Sequence, residues 1–334
     1  MKKILFIIKN KNEASSRFRV KAYLPYLQND FDYKIFYSEY NNHKVPKFLR
    51  SFIKRYRFLK LLINIKKFDI IFMQRPMSSD KKESIFFEKL LSFLNNNIIF
   101  DYDDALFIQN ENKIKKLIKI SKKVICGNDY LAEFSKRYNK NTYIIPTTID
   151  TNKFTPKKTA NNSNLILGWT GTSGNYENFS DELINSIKKI LDNYKNVSFL
   201  FICDKKPPKK FNFKYEFIQW NEKNEILDLK KIDIGLMPLI DSPWTKGKCG
   251  FKLIQYGAIS IASIASNVGV NNQVVLNNKT GFLINNETQW YEKIKILIED
   301  EKLRQTFGRN ARKHILQNYD TKKNYISLKN ILNS

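Results

Sequence analysis

Residues 243–258, PWTKGKCGFKLIQYGA, place three lysines and two closely spaced glycines in a stretch without an acidic residue. The lysines are Lys246, Lys248 and Lys252, and the two closely spaced glycines are Gly247 and Gly250. Glycine allows a backbone to approach a phosphate closely, and ammonium groups neutralise the phosphate charge. The stretch is therefore predicted to bind a polyanion such as a diphosphate. An ordinary solvated loop with two turn glycines is the alternative.

The elements around this stretch place it where ligands bind in α/β proteins. DIGLMPL, 233–239, is predicted as a strand, and a helical pattern follows over 250–258. Ligands of open parallel sheets bind at the carboxyl ends of the strands, where the first amides of the following helix are free. LILGWTG, 165–171, is predicted as another strand whose carboxyl end lies at the binding edge of the sheet. The small residues Gly171, Thr172 and Ser173 after it suit phosphate contact and are assigned to donor binding.

A short basic motif, SSRFR, follows the first predicted strand directly. Arg17 and Arg19 lie at the start of a predicted helix, where acidic residues are usually preferred. Basic residues at that position favour an anion bound nearby, so Ser16 and the two arginines are assigned to the acceptor side of the site. A pair of surface arginines is the alternative.

Acidic residues end another predicted strand of the first half, in DYDDALF. Carboxylates at the carboxyl end of a strand are expected to face the binding cleft. Asp103 or Asp104 could therefore orient an acceptor hydroxyl or take its proton. Asn128, in CGNDYL, is another strand-end residue predicted to border the same cleft. A structural cap on the following segment is the alternative for the two aspartates.

The stretch 47–67, KFLRSFIKRYRFLKLLINIKK, is basic, lacks acids and keeps its apolar residues on one helical face. Such a basic amphipathic helix suits an anionic membrane interface. The residues assigned to membrane contact are Phe48, Phe52, Lys54, Arg55 and Arg57. A helix packed on the sheet with a basic outer face is the alternative. Nucleic-acid binding is the weaker interpretation, because no recognition fold is evident.

Apolar strands alternate with helical patterns along the chain, which is typical of βαβ units and parallel sheets. The predicted strands are 4–8, 33–37, 69–73, 97–102, 123–127, 142–150, 165–171, 197–203, 215–220, 233–239, one near 260–266, and 281–284. The predicted helices are 17–28, 180–194, 250–258, 287–299, 301–317 and an amphipathic tail over 321–334. The polar stretch 151–164 is predicted as the linker. We therefore expect an N-terminal domain over 1–155, a C-terminal domain over 156–320 and a tail helix over 321–334 that packs on the N-terminal domain.

Composition limits the class of protein. The chain has 334 residues, enough for two domains, and a formal net charge of +26, which indicates anionic partners. Three scattered cysteines indicate a reducing cytoplasm, and the presence of only two histidines argues against a histidine metal site. The apolar run in MKKILFIIKN is too short for a signal peptide or a membrane span.

Several motifs in the same order make the chain resemble bacterial glycosyltransferase family 4, whose members have the GT-B fold. The motifs are SSRFRVKAYLPYL, FDYDDALF, ICGNDYLAEF, IIPTTIDTNKF, GWTGTSGNYENF and the segment 233–284. The resemblance implies two Rossmann-like parallel-sheet domains that face a cleft, with a C-terminal helix crossing back to the first domain. It also implies a nucleotide diphosphate-sugar donor, held mainly by the second domain, and transfer with retention of configuration.

The resemblance implies roles for residues of the lysine-rich stretch. The backbone of Gly250, Phe251, Lys252 and Leu253 would meet the sugar and the diphosphate, and Lys246 would add charge. Lys248 and Lys252 would neutralise the leaving diphosphate as its charge grows in the transition state, so that no metal is needed.

The resemblance also has one departure. Many family members carry two glutamates, eight positions apart, where this chain has Gly247 and Gln255. Gln255 can still hydrogen-bond the donor ribose through its amide. Trp220 falls where the family places the nucleobase, with a position in the core as the alternative.

The sequence thus predicts a metal-independent enzyme of the glycosyltransferase class (EC 2.4) on the cytoplasmic face of the inner membrane. Its acceptor would be a growing surface polysaccharide, such as a capsule or lipopolysaccharide, or another lipid-linked saccharide. A nucleotide-sugar epimerase of the same architecture is an alternative that the scarcity of histidine argues against. A non-catalytic protein that binds anionic membranes or nucleic acid is the other alternative.

Overall fold

Two parallel sheets of six strands each form the framework of the computed structural model, which describes residues 1–39, 45–77, 83–157 and 164–334. The chain divides into two units. Unit 1 consists of Met1–Thr148, Gly247–Cys249 and Thr321–Ser334, and unit 2 consists of Ile149–Lys246 and Gly250–Asp320. The division after Thr148 comes earlier than the predicted boundary at 155, and residues 158–163 of the predicted linker lie outside the described residues.

The sheet of unit 1 has the strand order β2-β1-β3-β4-β5-β6. Its strands are β1 (Lys2–Ile8), β2 (Phe31–Tyr37), β3 (Ile70–Gln74), β4 (Ile98–Tyr102), β5 (Lys123–Cys126) and β6 (Thr142–Ile144). The strands β1, β3, β4 and β5 at the centre are almost entirely buried apolar runs, as expected for a parallel sheet covered on both faces. All neighbouring strands pair in parallel, so their carboxyl ends meet at one edge.

Within the described residues, six α-helices connect these strands. They are α1 (Leu24–Leu27), α2 (Lys47–Asn64), α3 (Phe86–Leu94), α4 (Leu106–Gln109), α5 (Glu111–Ile120) and α6 (Asp129–Lys136). The single helix predicted over 17–28 is wrong in its geometry. A π-helical turn (Ser16–Val20) and a 3₁₀ turn (Lys21–Tyr23) precede the short α1. The buried side chain of Arg19 on the π-helical turn, described below, accounts for this departure from a regular helix.

The sheet of unit 2 has the strand order β12-β11-β10-β7-β8-β9 and is also parallel. Its strands are β7 (Leu165–Gly171), β8 (Val197–Cys203), β9 (Glu216–Gln219), β10 (Ile234–Met237), β11 (Ala262–Ser266) and β12 (Gly281–Ile284). An aromatic core that includes Trp169, Phe201 and Trp290 lies between this sheet and its helices. The predicted strands 165–171, 197–203 and 281–284 are confirmed with the same bounds.

The helices of unit 2 are α7 (Asp181–Asn193), α8 (Glu225–Leu229), α9 (Pro243–Lys246), α10 (Phe251–Ala258), α11 (Asn271–Val274), α12 (Trp290–Glu299) and α13 (Glu301–Asn318). Helix α13 packs closely on the turn after α10, because a Cβ atom at Gly308 would lie 2.1 Å from the carbonyl oxygen of Ser260. The α/β class and the two parallel sheets are therefore confirmed.

The tail forms the last helix, α14 (Thr321–Asn333), and belongs to unit 1. Its predicted apolar residues Tyr325, Leu328 and Ile331 are buried in the core of unit 1. The Tyr325 hydroxyl donates to Asp30 at 2.6 Å, and the Lys329 ammonium donates to the same carboxylate at 2.6 Å. Apolar burial and two hydrogen bonds to one carboxylate thus fix the tail within this unit.

Candidate active site

Helix α10 of unit 2 begins at the carboxyl edge of its sheet. Its N-cap residue, Gly250, has a φ of +63°, a left-handed conformation that glycine adopts without strain. Among the described residues no side chain caps this end, and the first turn contains no acid. The hydroxyl of Tyr256 accepts from the amide of Thr170 at 3.1 Å and so fixes α10 against β7. The start of α10 therefore presents the positive end of a helix next to the end of β7.

Lys252, on the first turn of α10, lies across the end of β7. Its ammonium nitrogen is 5.5 Å from the centroid of the Trp169 ring. A Cβ atom at Gly171 would lie 2.8 Å from Cε of Lys252 and 2.6 Å from the Trp169 ring, so glycine leaves the space for this arrangement. The structure thus brings the predicted residues Gly171, Gly250, Phe251 and Lys252 to one place, while Leu253 is buried behind them.

The residues after Gly171 have a partner that the sequence did not indicate. Both the backbone amide and the hydroxyl of Ser173 donate to the carboxylate of Asp204, at 2.6 and 3.0 Å. These hydrogen bonds, together with others from its neighbours, hold the pKa of Asp204 below its usual range, although its partial burial acts in the opposite direction. Thr172 is exposed and accepts from Asn175 at 2.7 Å. The amide and the hydroxyl of Ser173, which were expected to contact a phosphate, therefore donate their hydrogen bonds to the carboxylate of Asp204.

Gln255, the residue at the position of the second family glutamate, is buried on α10. Its Nε2 donates to Oε1 of Glu225 at 3.1 Å, and Glu225 is the first residue of α8 and is also buried. Trp220 is half-buried just beyond β9, in the segment that leads to α8. The amide expected to hold a ribose is thus hydrogen-bonded to a carboxylate that sequence reasoning missed.

The remaining predicted lysines of the loop lie in different surroundings. Lys246 is exposed at the end of α9 and pairs with the exposed Asp241 at 3.2 Å. Lys248 is half-buried and belongs to unit 1 with its neighbours Gly247 and Cys249.

Asn128 holds this three-residue segment within unit 1. Its Nδ2 donates to the carbonyl oxygens of Gly247 and Lys248 at 3.0 and 3.1 Å, while its Oδ1 caps α6 by accepting from the amide of Leu131. A Cβ atom at Gly247 would lie 2.5 Å from Cβ of Ala105, so no larger residue fits there without a shift. This contact gives a steric reason for the missing glutamate at Gly247.

The carboxyl end of β4 carries a network of three acids around one arginine. Arg75, directly after β3, donates to Asp103 at 2.9 and 3.1 Å, to Glu13 at 3.3 Å and to Asp104. Arg75 adopts a φ of +66°, which is unusual for a residue with a side chain. Its backbone amide donates to the carbonyl of Asp101 at 2.8 Å. The strained backbone is thus held beside the carboxylates that Arg75 pairs with.

The two predicted aspartates have different protonation behaviour. Burial raises the pKa of Asp104 to about 6, with the charge of Asp103 acting in the same direction and Arg75 and Lys248 against it. Burial would also raise the pKa of Asp103, but Arg75 and Arg19 outweigh it and hold that pKa below its usual range. Asp104 is therefore the carboxyl group of this pair that titrates near neutral pH and suits proton transfer.

Arg19 lies in the interior of unit 1, with only 4% of its surface exposed. Its guanidinium donates to both carboxylate oxygens of Asp101 and, at 2.7 Å, to the carbonyl of Ile145. Burial alone would lower the pKa of Arg19, but the charge of Asp101 raises it above its usual value. Arg19 is therefore engaged by the interior and is neither a surface residue nor presented to a ligand. Of its predicted partners, Ser16 is buried and Arg17 is half-buried, with its guanidinium 4.7 Å from the Phe18 ring centroid.

Helix α2 exposes part of its predicted apolar face. The exposed stripe consists of Phe52, Tyr56, Leu59 and Ile63, whereas Phe58, Leu61 and the following Ile65 face the interior. Lys54 and Arg55 are exposed. Arg57 instead donates to the carbonyl of Tyr37 at 3.2 Å. Phe48 lies on α2, but its side chain is outside the described part of the structure.

Helix α3 adds aromatic surface beside this stripe. Phe87 packs edge-on against Phe58 of α2, with ring centroids 4.6 Å apart, and neighbouring Phe86 and Phe93 are exposed. No helix within the described ranges is both long and apolar enough to cross a bilayer. The described residues also contain no group of three or more His, Cys, Asp or Glu side chains placed to hold a metal ion.

Comparison with known proteins agrees with this geometry. Residues 173–314 match the family model of glycosyl transferases group 1. Over this segment, which is less than half of the chain, the sequence is similar to group 1 glycosyltransferases. The match confirms the predicted enzyme class, while assignment to family 4 and retention of configuration stay predictions. None of the curated protein sequences matches the chain.

Solved structures show the fold over the whole chain. HepE of Anabaena, solved with UDP and glucose, has a TM-score of 0.73 at 13% identity and is covered, like this chain, over 100% of its length. Sucrose-phosphate synthase of Thermosynechococcus elongatus has a TM-score of 0.74 at 12% identity, with 100% of this chain and 98% of that one covered. WaaG, a glycosyltransferase involved in lipopolysaccharide biosynthesis, has a TM-score of 0.66 at 11% identity, with 96% and 98% covered. The predicted GT-B fold is confirmed.

Three residues around the glycosyltransferase domain and unit 1 escaped the sequence analysis: Arg75, Asp204 and Glu225. Asp204 directly follows a predicted strand, so the rule that located Asp103 and Asn128 would have found it as well, whereas Arg75 lies two residues beyond the end of the predicted strand 69–73 and directly follows only the observed β3. Glu225 carries no such signal, because its partner Gln255 lies 30 residues further along the chain.

Proposed function

We propose that this chain transfers a sugar from a nucleotide diphosphate-sugar to a hydroxyl of a surface-polysaccharide or lipid-linked saccharide acceptor, with retention of configuration. The observation that supports this proposal most directly is the start of α10, which has no side-chain cap and where Lys252 lies against Gly171. Both residues flank or lie in the region that matches group 1 glycosyltransferases. The complexes of HepE with UDP and with UDP-glucose support a nucleotide-sugar donor. The role of WaaG in lipopolysaccharide biosynthesis supports a saccharide acceptor.

The proposed chemistry on the donor is electrostatic. The bond between the anomeric carbon and the diphosphate breaks, and negative charge grows on the departing diphosphate. The amides at the start of α10 and the ammonium groups of Lys252 and Lys248 neutralise that charge, so no metal ion is required for this step. Because the charge is largest in the transition state, removal of these groups lowers turnover more than donor binding.

Asp104 is proposed to take the proton of the acceptor hydroxyl. Its pKa of about 6 leaves it ionised at neutral pH while keeping it more basic than an ordinary aspartate. Arg75 orients Asp103 and Asp104 through its guanidinium and is a positioning residue. In a retaining transfer the hydroxyl attacks from the face that the diphosphate leaves.

The acceptor side is proposed to operate at an anionic membrane. The exposed stripe of α2 offers apolar surface, and exposed Lys54 and Arg55 on the same helix offer positive charge. This combination supports a peripheral enzyme on the cytoplasmic face of the inner membrane, where lipid-linked acceptors are found.

The test is a binding and turnover panel on purified protein. Thermal shift with nucleoside diphosphates, their sugars and a DNA duplex identifies the donor, and hydrolysis or transfer of that sugar then gives kcat. We expect Lys252→Ala to lower kcat by about 100- to 1000-fold, as for loss of one transition-state donor, with a smaller change in donor Kd. The exposed lysine variant Lys302→Ala serves as the control. Normal turnover in Lys252→Ala, or stabilisation by DNA alone, would refute the proposal.

A further inference from the structure

We propose that the segment 204–214 between β8 and β9, the basic loop, steers the anionic donor toward the start of α10 by long-range attraction, without binding it. The inference rests on the proposed function, because it concerns how a nucleotide diphosphate reaches that same site. It adds a surface that raises the rate of association to the residues proposed above to bind and to react.

The charge of the basic loop is not balanced within the protein. Four of its lysines are exposed and form no ion pair with a described residue: Lys205, Lys206, Lys209 and Lys214. The fifth, Lys210, donates to the carbonyl oxygen of Phe179 at 3.1 Å. The one acid of the loop, Asp204, accepts the two hydrogen bonds from Ser173 described above. Five lysines and one aspartate leave the loop with a net charge of +4.

Hydrogen bonds and aromatic packing fix the backbone of the basic loop. The hydroxyl of Tyr176 donates to the carbonyl oxygen of Lys205 at 2.7 Å, and Nε2 of Gln219 donates to the carbonyl oxygen of Asp204 at 2.8 Å. Further along the loop, Phe211 is buried with its ring centroid 5.0 Å from that of Phe201. The lysines are therefore carried on a backbone that is anchored on both sides of them, so their charge has a defined place.

The basic loop begins at the edge of the sheet where the donor is proposed to bind. Lys205 and Lys206 closely follow β8, whereas α10 follows β10, and only β7 lies between these two strands. Neighbouring strands are about 4.8 Å apart, so these lysines lie roughly 10 Å from the start of α10. That distance is too long for a hydrogen bond but is within the range of Coulomb attraction at low salt.

An anionic membrane is the other partner that such a loop would suit, and the apolar residues of the loop argue against it. Phe211 is buried and Phe213 is half-buried, so neither offers an aromatic side chain for insertion into lipid. Membrane-surface segments combine basic residues with exposed apolar ones, as α2 does. A cationic surface at the donor edge of the sheet therefore favours a soluble anion.

The experiment measures kon and koff by stopped flow for the tightest binder among UDP, GDP, ADP and dTDP, using the full chain. The variant is Lys205→Gln with Lys206→Gln. Two ammonium charges about 10 Å from a diphosphate with two to three charges should change kon by roughly 8- to 20-fold at 10 mM salt. The change should fall to about two- to threefold at 0.15 M and become unmeasurable at 1 M. We expect koff to change by less than about twofold at every salt concentration.

Two matched variants separate the charge and its place from other effects. Lys205→Arg with Lys206→Arg keeps the charge and should bind at the wild-type rate. Lys195→Gln with Lys279→Gln removes two exposed lysines just before β8 and β12, at the opposite edge of the same sheet. The seven residues of β8 span roughly 23 Å, so this pair should change kon by less than about twofold.

Each contrary outcome has a distinct meaning. An effect in koff, or one that persists at 1 M salt, would show direct contact and overturn steering. An unchanged kon at 10 mM salt, or an equal loss in the control pair at the opposite edge, would overturn it as well. Weaker cosedimentation with anionic vesicles at unchanged kon would assign the basic loop to a membrane instead. If the wild type binds none of the four nucleotides, the proposed function fails together with this inference; in the other cases the proposed function stands.

Discussion

Membrane docking through the exposed stripe of α2 can be tested with two substitutions. Phe52 and Ile63 stand at either end of the stripe, with 64% and 81% of their surface exposed. Complete burial of such a side chain contributes about 1.5–3 kcal/mol, so the exposed part of each contributes roughly 1–2 kcal/mol on entering a membrane interface. Replacing both residues by serine should therefore cost roughly 2–4 kcal/mol, or about 30- to 700-fold in membrane partition.

The assay is cosedimentation with vesicles, either of neutral lipid alone or with an anionic fraction. The matched control replaces two apolar residues that are equally exposed elsewhere, Leu227 on α8 and Ile326 on α14, at 67% and 63%. Both pairs remove similar apolar area, so a difference between them reports the location of the membrane contact. We expect the control to bind as the wild type does.

Charge enters the same experiment through the neighbouring basic residues. Lys54 and Arg55 should each contribute about 1 kcal/mol at an anionic surface and almost nothing at a neutral one. Replacing both by glutamine should therefore weaken binding only to anionic vesicles, and raised salt should remove the difference. Equal binding by the stripe variant and the control pair would refute the docking surface, and so would an equal loss of binding to neutral and anionic vesicles when Lys54 and Arg55 are replaced.

Two further predictions concern stability. Gly308→Ala places a Cβ atom 2.1 Å from the carbonyl oxygen of Ser260 and should lower the free energy of unfolding, measured by urea titration, by about 3 kcal/mol. The control is Gly174→Ala, whose Cβ atom would have no atom within 4 Å and which should change that free energy by less than about 1 kcal/mol. Equal effects of the two substitutions would contradict the packing of α13. Asp104 has a pKa of about 6, above its ordinary 3.8, so its protonated form stabilises the fold below about pH 4 and this contribution is lost as the pH rises through about 6. Asp104→Asn should therefore gain about 2 kcal/mol relative to the wild type between pH 4 and 7.5, after allowance for the quarter of the side chain that is exposed, and a pH-independent difference would contradict the raised pKa.

The central strands could be predicted from the sequence because continuous apolar runs between turn signals leave little choice. LILGWTG and VSFLFIC have the same bounds in the structure as in the prediction. The geometry of the segment 17–28 was harder to predict, because its helical periodicity does not reveal contacts with distant residues. A buried ion pair between Arg19 and Asp101, 82 residues apart, draws the chain into a π-helical turn there. A contact of that range leaves no periodic signal in a sequence.

The site could be predicted where chemistry follows directly from position on a strand or helix. Asp103 and Asp104 are at the end of β4, and Lys252 is on the first turn of α10. The sequence does not show which distant segments of the chain come into contact. The positive φ of Arg75 and the approach of Glu225 to Gln255 both depend on tertiary packing, so they became visible only with coordinates.

The two positions at which the chain departs from the family that it resembles, Gly247 and Gln255, have different physical surroundings. At Gly247 a side chain would collide with Ala105, so the position excludes a carboxylate as long as α4 and its preceding loop keep their place. At Gln255 the carboxylate is not lost, because Glu225 brings one to within 3.1 Å of the amide. A substitution that restores glutamate at 255 alone would place two buried carboxylates side by side and raise the pKa of one of them. The pair is therefore a coupled unit in which a carboxylate from α8 and an amide from α10 share one buried hydrogen bond.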